Sequence, residues 1–436
     1  MSASWARPEQ VRPIAAIRAW IGLACFVAAP IDVIDVLGFA GDFRLTPFLL
    51  LSVLYVSSII VEALIASPAL SLKCFDATEL AAMCFVCLMA CSFLFSIYDP
   101  LRVAPARLVY TSWLVIFAVV FVNAERESLP LTIVRSTRVF ILLDMVAIAT
   151  QFGAAIAGVE LPKYLEGLSI KTLDAFSRPA GLIYDPNAAA VMLALLLGFS
   201  YLAGHGLPKE KRLGVPYYIA GLTLATVTIS RTGTVALGLL LLIMFQGSAH
   251  KKKLFLRICL VAFILLCAGA AYLTSTRSAD QLTEAASHAF LQRDESNYEH
   301  FGVMKEGTLL FFGDAKVFLI GTGWGTEYHY TEAFFPGNKY GNFHCTYISI
   351  AVQGGVMALF CLLFLFFKPL MLRHDFGRLA VIFLWSSIFY QYHGYPLWWI
   401  LLFALNKGRI RGIRVAMSRY SAAKATRETI TGQPTP

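Results

Sequence analysis

Three basic or imidazole side chains stand where apolar segments meet polar ones. Arg178 precedes a stretch that contains proline and glycine, Arg231 lies at a turn between two apolar runs, and His344 opens a further apolar run. A charge at the edge of hydrocarbon is costly, so an arginine there with no adjacent acid is a functional candidate. Because a guanidinium group matches two phosphate oxygens at once, the pattern favours an anionic, lipid-linked ligand that carries phosphate. The alternatives are that these arginines reach lipid headgroups or pair with a nearby carboxylate.

Two more candidates, Arg293 and His300, lie within the longest polar segment of the chain, about 275–343. This segment is acidic overall and rich in aromatic residues. Its rings could stack on the faces of sugars. The segment could equally be a lid that buries its own rings, and both interpretations stay open at this stage.

The elements that position these side chains follow from composition. Of the 436 residues, 58% are apolar and 14% are charged, whereas an ordinary soluble domain is about half apolar and about a quarter charged. A soluble fold of this length could not bury so much apolar surface, so the sequence predicts an all-α, polytopic integral membrane protein. Apolar runs of sufficient length predict about 12 transmembrane helices. The predicted spans are about 14–38, 45–67, 78–98, 104–123, 133–158, 187–204, 214–230, 232–248, 254–274, 344–367, 376–392 and 395–408.

The distribution of basic residues predicts which segments face the cytoplasm. With the N-terminus inside, about two thirds of the 36 Lys and Arg residues fall in segments on the inner side, as the positive-inside rule requires. Both termini are then cytoplasmic, and 275–343 is outside. Nucleic-acid binding is the competing explanation of the net charge of +9. It is not expected, because the basic residues are split among several short segments.

The chain divides into three predicted parts. Residues 1–158 form N-terminal transmembrane helices, 159–408 form a core that includes the large outer loop, and 409–436 form a basic cytoplasmic tail. Asp144 lies inside a predicted span, where it is either a buried hydrogen-bond or ion-pair partner or part of a relay.

Common motifs for cofactors and metals are absent from the sequence. The glycine-rich stretch Gly321–Gly325 has no clear strand–helix context and no following Gly-Lys-Ser/Thr. It is therefore interpreted as a tight turn rather than a nucleotide-binding loop. No HExxH sequence and no carboxylate-rich box occurs, so neither a metal nor a cofactor is expected.

Several short motifs follow one another in a fixed order over about 170–405. They are Arg178-x-x-Gly181 before Pro186-Asn187, then Ser230-Arg231-Thr232-Gly233, the large loop, Gly321-x-Gly323-x-Gly325, and His344-x-x-Tyr347 before Gly354-Gly355-Val356. This ordered set resembles the O-antigen ligase and Wzy-type polymerase superfamily of bacterial surface-polysaccharide enzymes. The N-terminal spans agree with that superfamily only in kind.

The resemblance implies a GT-C-like fold and a metal-independent, inverting glycosyltransferase. Its donor would be an undecaprenyl-diphosphate-linked oligosaccharide and its acceptor a glycan or lipid. By the same resemblance, Arg178 and Arg231 lie near the diphosphate and His344 activates the acceptor hydroxyl. Many members carry an arginine in the large loop where this chain has His300, and either His300 or the nearby Arg293 could take that place at the diphosphate.

This reaction would polymerise or ligate repeat units of a surface polysaccharide or exopolysaccharide at the outer face of a bacterial inner membrane. The residues also suit it on physical grounds. Fixed arginines in a low-dielectric cleft stabilise the charge that develops on a diphosphate leaving group, and an imidazole suits proton removal from a hydroxyl. A flippase and a chain-length regulator are the protein partners expected for a polymerase.

A transporter of a small anion or a lipid-linked sugar is the alternative from another functional class. Transporters often contain internal repeats and place their polar sites near the membrane midplane. No convincing repeat is found between the two halves, and the strongest polar residues lie at the predicted outer edge. The sequence therefore favours the enzyme.

Overall fold

The structure is a computed structural model. It describes residues 8–31, 46–66, 76–96, 104–157, 159, 171–173, 176–179, 181–183, 185–228, 230–245, 300–334, 342–371 and 376–407. Within these ranges the chain is helical, as predicted, apart from one short β-hairpin.

Five helices precede the hairpin: α1 (Pro8–Ala28), α2 (Pro47–Ala66), α3 (Ala77–Leu94), α4 (Ala104–Ala124) and α5 (Leu129–Ala157). The hairpin pairs β1 (Lys171–Leu173) with β2 (Phe176–Arg178) in antiparallel register. It is followed by α6 (Pro186–Gly204), a 3-10 turn (Lys209–Lys211), α7 (Val215–Val227), α8 (Arg231–Phe245) and α9 (described over 300–313). The C-terminal part contains α10 (Ala315–Leu319), α11 (Glu327–Phe334), α12 (Thr346–Met371), a 3-10 turn (Gly377–Leu379), α13 (Ala380–Phe389) and α14 (Pro396–Lys407).

All but one of the predicted spans coincide with a helix, and the remaining one, 254–274, lies outside the described residues. The largest shift of a boundary is at the C-terminal end of the first span, predicted at 14–38, whose helix ends at Ala28. Pro30 explains this end, because proline lacks an amide donor and disfavours helical conformation in the residue before it. Within the described ranges, four helices are long and apolar enough to cross a membrane: Ala77–Leu94, Pro105–Ala124, Pro186–Gly204 and Thr346–Met371.

Two helices, α6 and α14, are buried along almost their whole length. Helices that are apolar all round are expected in the interior of a bundle, and α6 indeed packs against α5, α7 and α8. The contact between α6 and α8 depends on Gly233, since a Cβ there would lie 2.2 Å from the Ala190 Cβ. Small residues thus set the spacing at the centre of the bundle.

The two ends of the bundle carry different polar groups. At one end, the Lys407 ammonium at the end of α14 lies 3.3 Å from the Asp76 carboxylate and donates to Asn123 Oδ1 at 2.9 Å. At the opposite end, the N-termini of α6, α8 and α12 lie near His344. These are called below the Lys407 end and the His344 end.

Helix α12 is broken at Gly355, whose backbone has φ 76° and ψ 178°. The break deprives the carbonyls of Val352 and Gln353 of regular helical partners. The turn Gly321–Gly325 supplies replacements: the Thr322 amide donates to the Val352 oxygen at 2.8 Å, and the following amide donates to the Gln353 oxygen at 3.3 Å. The predicted tight turn is confirmed, and the backbone that it approaches is that of α12.

Replacing Gly355 by alanine should destabilise the protein. Alanine rarely adopts this positive φ, and its Cβ would lie 2.4 Å from the Leu319 carbonyl oxygen. We expect a loss of about 1–3 kcal/mol, measured as a lower thermal unfolding midpoint of the purified protein in detergent. The matched control is Gly238→Ala on α8, where nothing lies within 4 Å of the added Cβ. Equal midpoints for the two variants would show that the break tolerates a side chain.

Candidate functional site at the His344 end

The N-termini of α6 and α8 lie side by side. Asp185 caps α6, because its Oδ1 accepts from the amides of Asn187 and Ala188 at 2.7 and 3.2 Å. Ser230 caps α8 by accepting from the Gly233 amide at 3.0 Å. The Ser230 hydroxyl also donates to Asn187 Oδ1 at 2.9 Å, which joins the two caps. Both helices therefore direct the positive ends of their dipoles towards the same place.

Helix α5 holds the segment that leads from Arg178 into α6. The Leu182 amide donates to Asp144 Oδ1 at 2.8 Å. The Gly181 amide donates to Gln151 Oε1 at 3.1 Å, and Gln151 Nε2 donates to the Gly181 carbonyl at 3.2 Å. Gly181 has a φ of +65°, and a Cβ there would lie 2.0 Å from Asp144 Oδ1. Asp144 is thus a buried hydrogen-bond partner, one of the two roles considered for it, and it fixes this segment.

His344 has a left-handed backbone conformation, which residues other than glycine rarely adopt. Its φ is 51°, and it is the one non-glycine residue with a positive φ within the ranges that the structure describes. The Asn342 side chain supports the conformation by accepting from the His344 amide at 2.9 Å. Such conformations cost about 1–3 kcal/mol and occur preferentially at functional sites.

His300 on α9 lies against His344, with the ring centroids 3.9 Å apart and the planes 38° apart. This contact depends on the close approach of α9 to the start of α12. At Gly307 a Cβ would lie 2.7 Å from atoms of both Phe343 and Ile348. The loop histidine therefore joins the site because a glycine lets its helix pack tightly.

The surroundings keep both imidazoles neutral. Burial lowers the pKa of His344 to about 3, and the neighbouring His300 lowers it further by a smaller amount. Burial also lowers the pKa of His300; the Asp185 carboxylate opposes this effect and the Arg231 guanidinium adds to it. Asp185 and Arg231 are thus close enough to act on His300 electrostatically. A neutral His344 has a lone pair that can accept a proton. Because its pKa is low, the protonated ring is stable only when a negative charge lies beside it.

The turn between α13 and α14 adjoins the same end. The Thr346 hydroxyl donates to the Tyr390 carbonyl at 2.7 Å and accepts from the Tyr392 amide at 3.0 Å. These bonds attach the turn to the first residue of α12. Burial raises the pKa of both phenols well above the usual value, and the Asp185 carboxylate contributes to the rise. The N-terminus of α6 therefore lies beside this turn.

Glu327 is a buried carboxylate that the sequence analysis did not single out. Its side chain accepts from the Ser349 hydroxyl at 2.5 Å and from Gln391 Nε2 at 2.7 Å, and it lies 3.9 Å from the Arg107 guanidinium. Burial raises the pKa of Glu327, while Arg107 and the two hydrogen bonds oppose that rise. These residues come from α11, α12, the α13–α14 turn and α4, so no local pattern links them. The only local signal is an acid two residues after a glycine-rich turn.

Three of the predicted site residues come together: Arg231, His300 and His344. Arg231 is exposed as the first residue of α8. Arg178 ends β2, and only its backbone is described; Arg293 lies outside the described residues. The expectation that Arg178 and Arg231 both lie near a diphosphate therefore stays a prediction.

The described rings of the segment 275–343 differ in burial. Trp324 is 1% exposed and is part of the core, whereas Phe301 is 59% exposed. The burial of Trp324 agrees with the lid interpretation, and stacking of rings on sugars stays a prediction.

The sequence matches no protein-family model and none of the curated proteins. The chemistry of the site rests on its residues and their surroundings.

His344 should remain neutral across the range where an imidazole normally titrates. Its folded pKa of about 3 lies well below the ordinary value of about 6.5, so falling pH should protonate it only in strongly acidic solution. Nuclear magnetic resonance of protein labelled at histidine, with the His344 signal assigned by its loss in His344→Gln, should show no titration of that signal between about pH 5 and 8. The same label in detergent-unfolded protein should titrate near 6.5. A titration of the folded signal near 6.5 would contradict the buried site.

Proposed function

We propose that this protein is a multi-pass membrane glycosyltransferase that transfers an oligosaccharide from undecaprenyl diphosphate to a glycan or lipid acceptor. The observation that supports this proposal is that Arg231, His300 and His344 meet where the N-termini of α6, α8 and α12 lie close together. Helix N-termini and an arginine together attract phosphate. A ligand that is both lipid-linked and anionic suits a site at the end of an apolar bundle.

The negative charge that develops on the leaving diphosphate is the main requirement of the reaction. Arg231 offers two parallel N–H donors to phosphate oxygens, and the capped N-termini of α6 and α8 add fixed dipoles. These groups need no reorganisation during the reaction, so they can stabilise the charge without a metal. Arg178, which lies seven residues before the α6 cap on a segment held by α5, is the second arginine of the proposal.

His344 is the proposed base. The acceptor oxygen attacks the anomeric carbon and its proton passes to the imidazole, while the bond between that carbon and the phosphate oxygen breaks and its electron pair leaves with the diphosphate. An imidazole with a low pKa becomes a better proton acceptor when an anion binds beside it. The bound diphosphate supplies that anion, so donor binding and base activation are coupled.

The membrane placement is part of the proposal. Large apolar side chains such as Leu54, Val146 and Phe360 are more than half exposed on α2, α5 and α12, as expected for helices surrounded by lipid. We infer about 12 spans in a bacterial inner membrane, with the His344 end outside and the Lys407 end and both termini cytoplasmic. Repeat-unit polymerisation is favoured slightly over ligation to a lipid acceptor. A transporter is disfavoured, because Arg231, His300 and His344, the described residues of the proposed site, gather at one end of the bundle, whereas transporters usually place their site near the midplane.

Changes at Arg231 should lower glycan transfer. Loss of the side chain in Arg231→Ala should cost about 10²–10³-fold, the usual effect of removing one donor to a developing anion. Arg231→Lys keeps the charge but loses the paired donors, so its rate should lie between those of the alanine variant and the wild type. Transfer is measured with purified protein and lipid-linked oligosaccharide, with the length of the glycan product as readout.

The matched control for Arg231 is Arg126→Lys, an exposed arginine at the opposite end of α4 from Arg107. It should leave the rate unchanged. Full activity of Arg231→Ala would remove the proposed clamp, and wild-type protein that forms no product with any acceptor would overturn the enzyme itself.

His344→Gln should lose most transfer while donor binding survives. Removing a general base typically costs about 10²–10⁴-fold. Because the free enzyme's His344 has a pKa of about 3, kcat/KM of the wild type should show no loss from His344 protonation as the pH falls from about 8 to 5. Near-wild-type turnover of His344→Gln would defeat the base assignment and leave His344 as a structural residue of the loop.

A further inference from the structure

The polar network around Glu327 is incomplete. Gln391 Nε2 donates to the Glu327 carboxylate and also lies 3.0 Å from Ser349 Oγ and 3.0 Å from His393 Nε2. The other polar atom of Gln391, its Oε1, has no hydrogen-bond partner in the described part of the chain. The same is true of His393 Nδ1 and of the Tyr392 hydroxyl, and both side chains are more than nine-tenths buried.

The directions of the hydrogen bonds identify which atoms remain unused. The Gln391 amide nitrogen is a donor, because it faces a carboxylate oxygen. His393 Nε2 must then accept from it, which puts the proton of the neutral ring on Nδ1. Burial lowers the pKa of His393 to about 3, so the ring is neutral. The network therefore offers an unused acceptor at Gln391 Oε1 and an unused donor at His393 Nδ1.

Buried polar atoms are almost always hydrogen-bonded, so several unused ones in one turn require an explanation. Donors and acceptors that alternate at short range complement hydroxyl groups, since each hydroxyl both donates and accepts. The buried Trp324 ring lies edge-on to His393, with the centroids 5.3 Å apart, and forms an apolar wall beside these atoms. A carboxylate, an amide, an imidazole and an indole together are the side-chain types that recognise a sugar.

The network reaches the surface through Arg107. Its side chain is 36% exposed, the guanidinium lies 3.9 Å from Glu327 Oε1, and it stands over the Tyr328 ring at 5.5 Å. That separation is too long for a direct hydrogen bond, so Arg107 leaves acceptor capacity on the Glu327 carboxylate.

The Glu327 network lies close to the His344 cluster. Ser349 lies three residues after Thr346, which is slightly less than one helical turn, or about 4.5 Å along α12. Gln391 lies between Tyr390 and Tyr392, the two residues that bond to Thr346. The two clusters therefore occupy successive turns of one helix.

We propose that Glu327, Gln391 and His393 form a subsite that binds hydroxyl groups of the acceptor sugar. This inference rests on the proposed function, and it adds a place for the acceptor beside the place for the donor diphosphate. Glu327 accepts a hydrogen bond from one sugar hydroxyl, and the unused atoms of Gln391 and His393 bind its neighbours. The subsite contributes to binding of the acceptor and leaves the reactivity of the donor unchanged.

The test separates two partial reactions of purified full-length protein in nanodiscs. The donor probe is the lipid-linked oligosaccharide extracted from the protein's own host after deletion of the gene, and the acceptor probe is delipidated glycan from the wild-type host. One assay measures transfer to that glycan, and the other measures release of free oligosaccharide to water without acceptor. Glu327→Gln should lower transfer about 10- to 100-fold, the effect expected for one hydrogen bond to a charged group. It should raise the KM for the glycan and leave hydrolysis within about two-fold, since water needs no sugar subsite.

Glu332→Gln is the matched control, because Glu332 is an exposed carboxylate on the same helix as Glu327. It should change neither reaction. Gln391→Ala provides a second variant in case the buried substitution prevents folding, and it should show the same loss of transfer with retained hydrolysis. Both variants are compared with wild type by gel-filtration profile before the assay.

Three results would overturn the subsite. If both folded variants transfer glycan at the wild-type rate, there is no subsite. The same conclusion holds if transfer and hydrolysis fall equally. Neither result contradicts the proposed function. A wild-type protein that carries out neither reaction would overturn the proposed function, and the subsite with it.

Discussion

The break in α12 at Gly355 is the feature on which the rest of the site depends. A helix that loses regular hydrogen bonds in apolar surroundings must find other donors for its carbonyls. The turn Gly321–Gly325 meets this need with its own amides, and the Ser92 hydroxyl of α3 also donates to the Gln353 carbonyl. Because the turn is held there, α11 begins at a defined position and Glu327 is placed beside the first turns of α12. A local defect in one helix thus determines where three other elements lie.

The first turns of α12 carry both polar clusters. His344 stands immediately before the helix, in a conformation supported by Asn342, and Ser349 contacts Glu327 one turn further on. Between them, Thr346 holds the α13–α14 turn. The proposed donor site and the proposed acceptor subsite therefore lie on neighbouring surfaces of the same helix. A site built on a helix keeps its geometry better than one built on a loop.

Electrostatics distinguishes the two clusters. At the His344 cluster, helix N-termini and Arg231 supply positive potential, which the Asp185 carboxylate at the α6 cap opposes, and burial keeps the histidines neutral. The ligand proposed for this cluster is an anion. At the Glu327 cluster, the single carboxylate has one arginine partner among the described residues, Arg107 at 3.9 Å, and several neutral hydrogen-bonding groups around it. Hydroxyl groups complement that arrangement. The difference agrees with a reaction in which one substrate brings a diphosphate and the other brings a sugar alcohol.

The sequence by itself determined the helical class, most helix boundaries and the tight turn at Gly321–Gly325, because hydrophobic run length and the positions of proline and glycine act locally. It also singled out Arg231 and His344, since charged or imidazole groups at the edges of apolar runs are conspicuous, and it singled out His300 from its place in the long polar segment and from the resemblance. Only the tertiary structure decided that these three meet, and only it found the Glu327 network. Glu327, Ser349, Gln391 and Arg107 are separated by up to 284 positions, and their contacts depend on how α4, α11, α12 and the α13–α14 turn pack together. The hydrophobic periodicity of a single segment does not predict such packing, because packing depends on the shapes of two surfaces in contact.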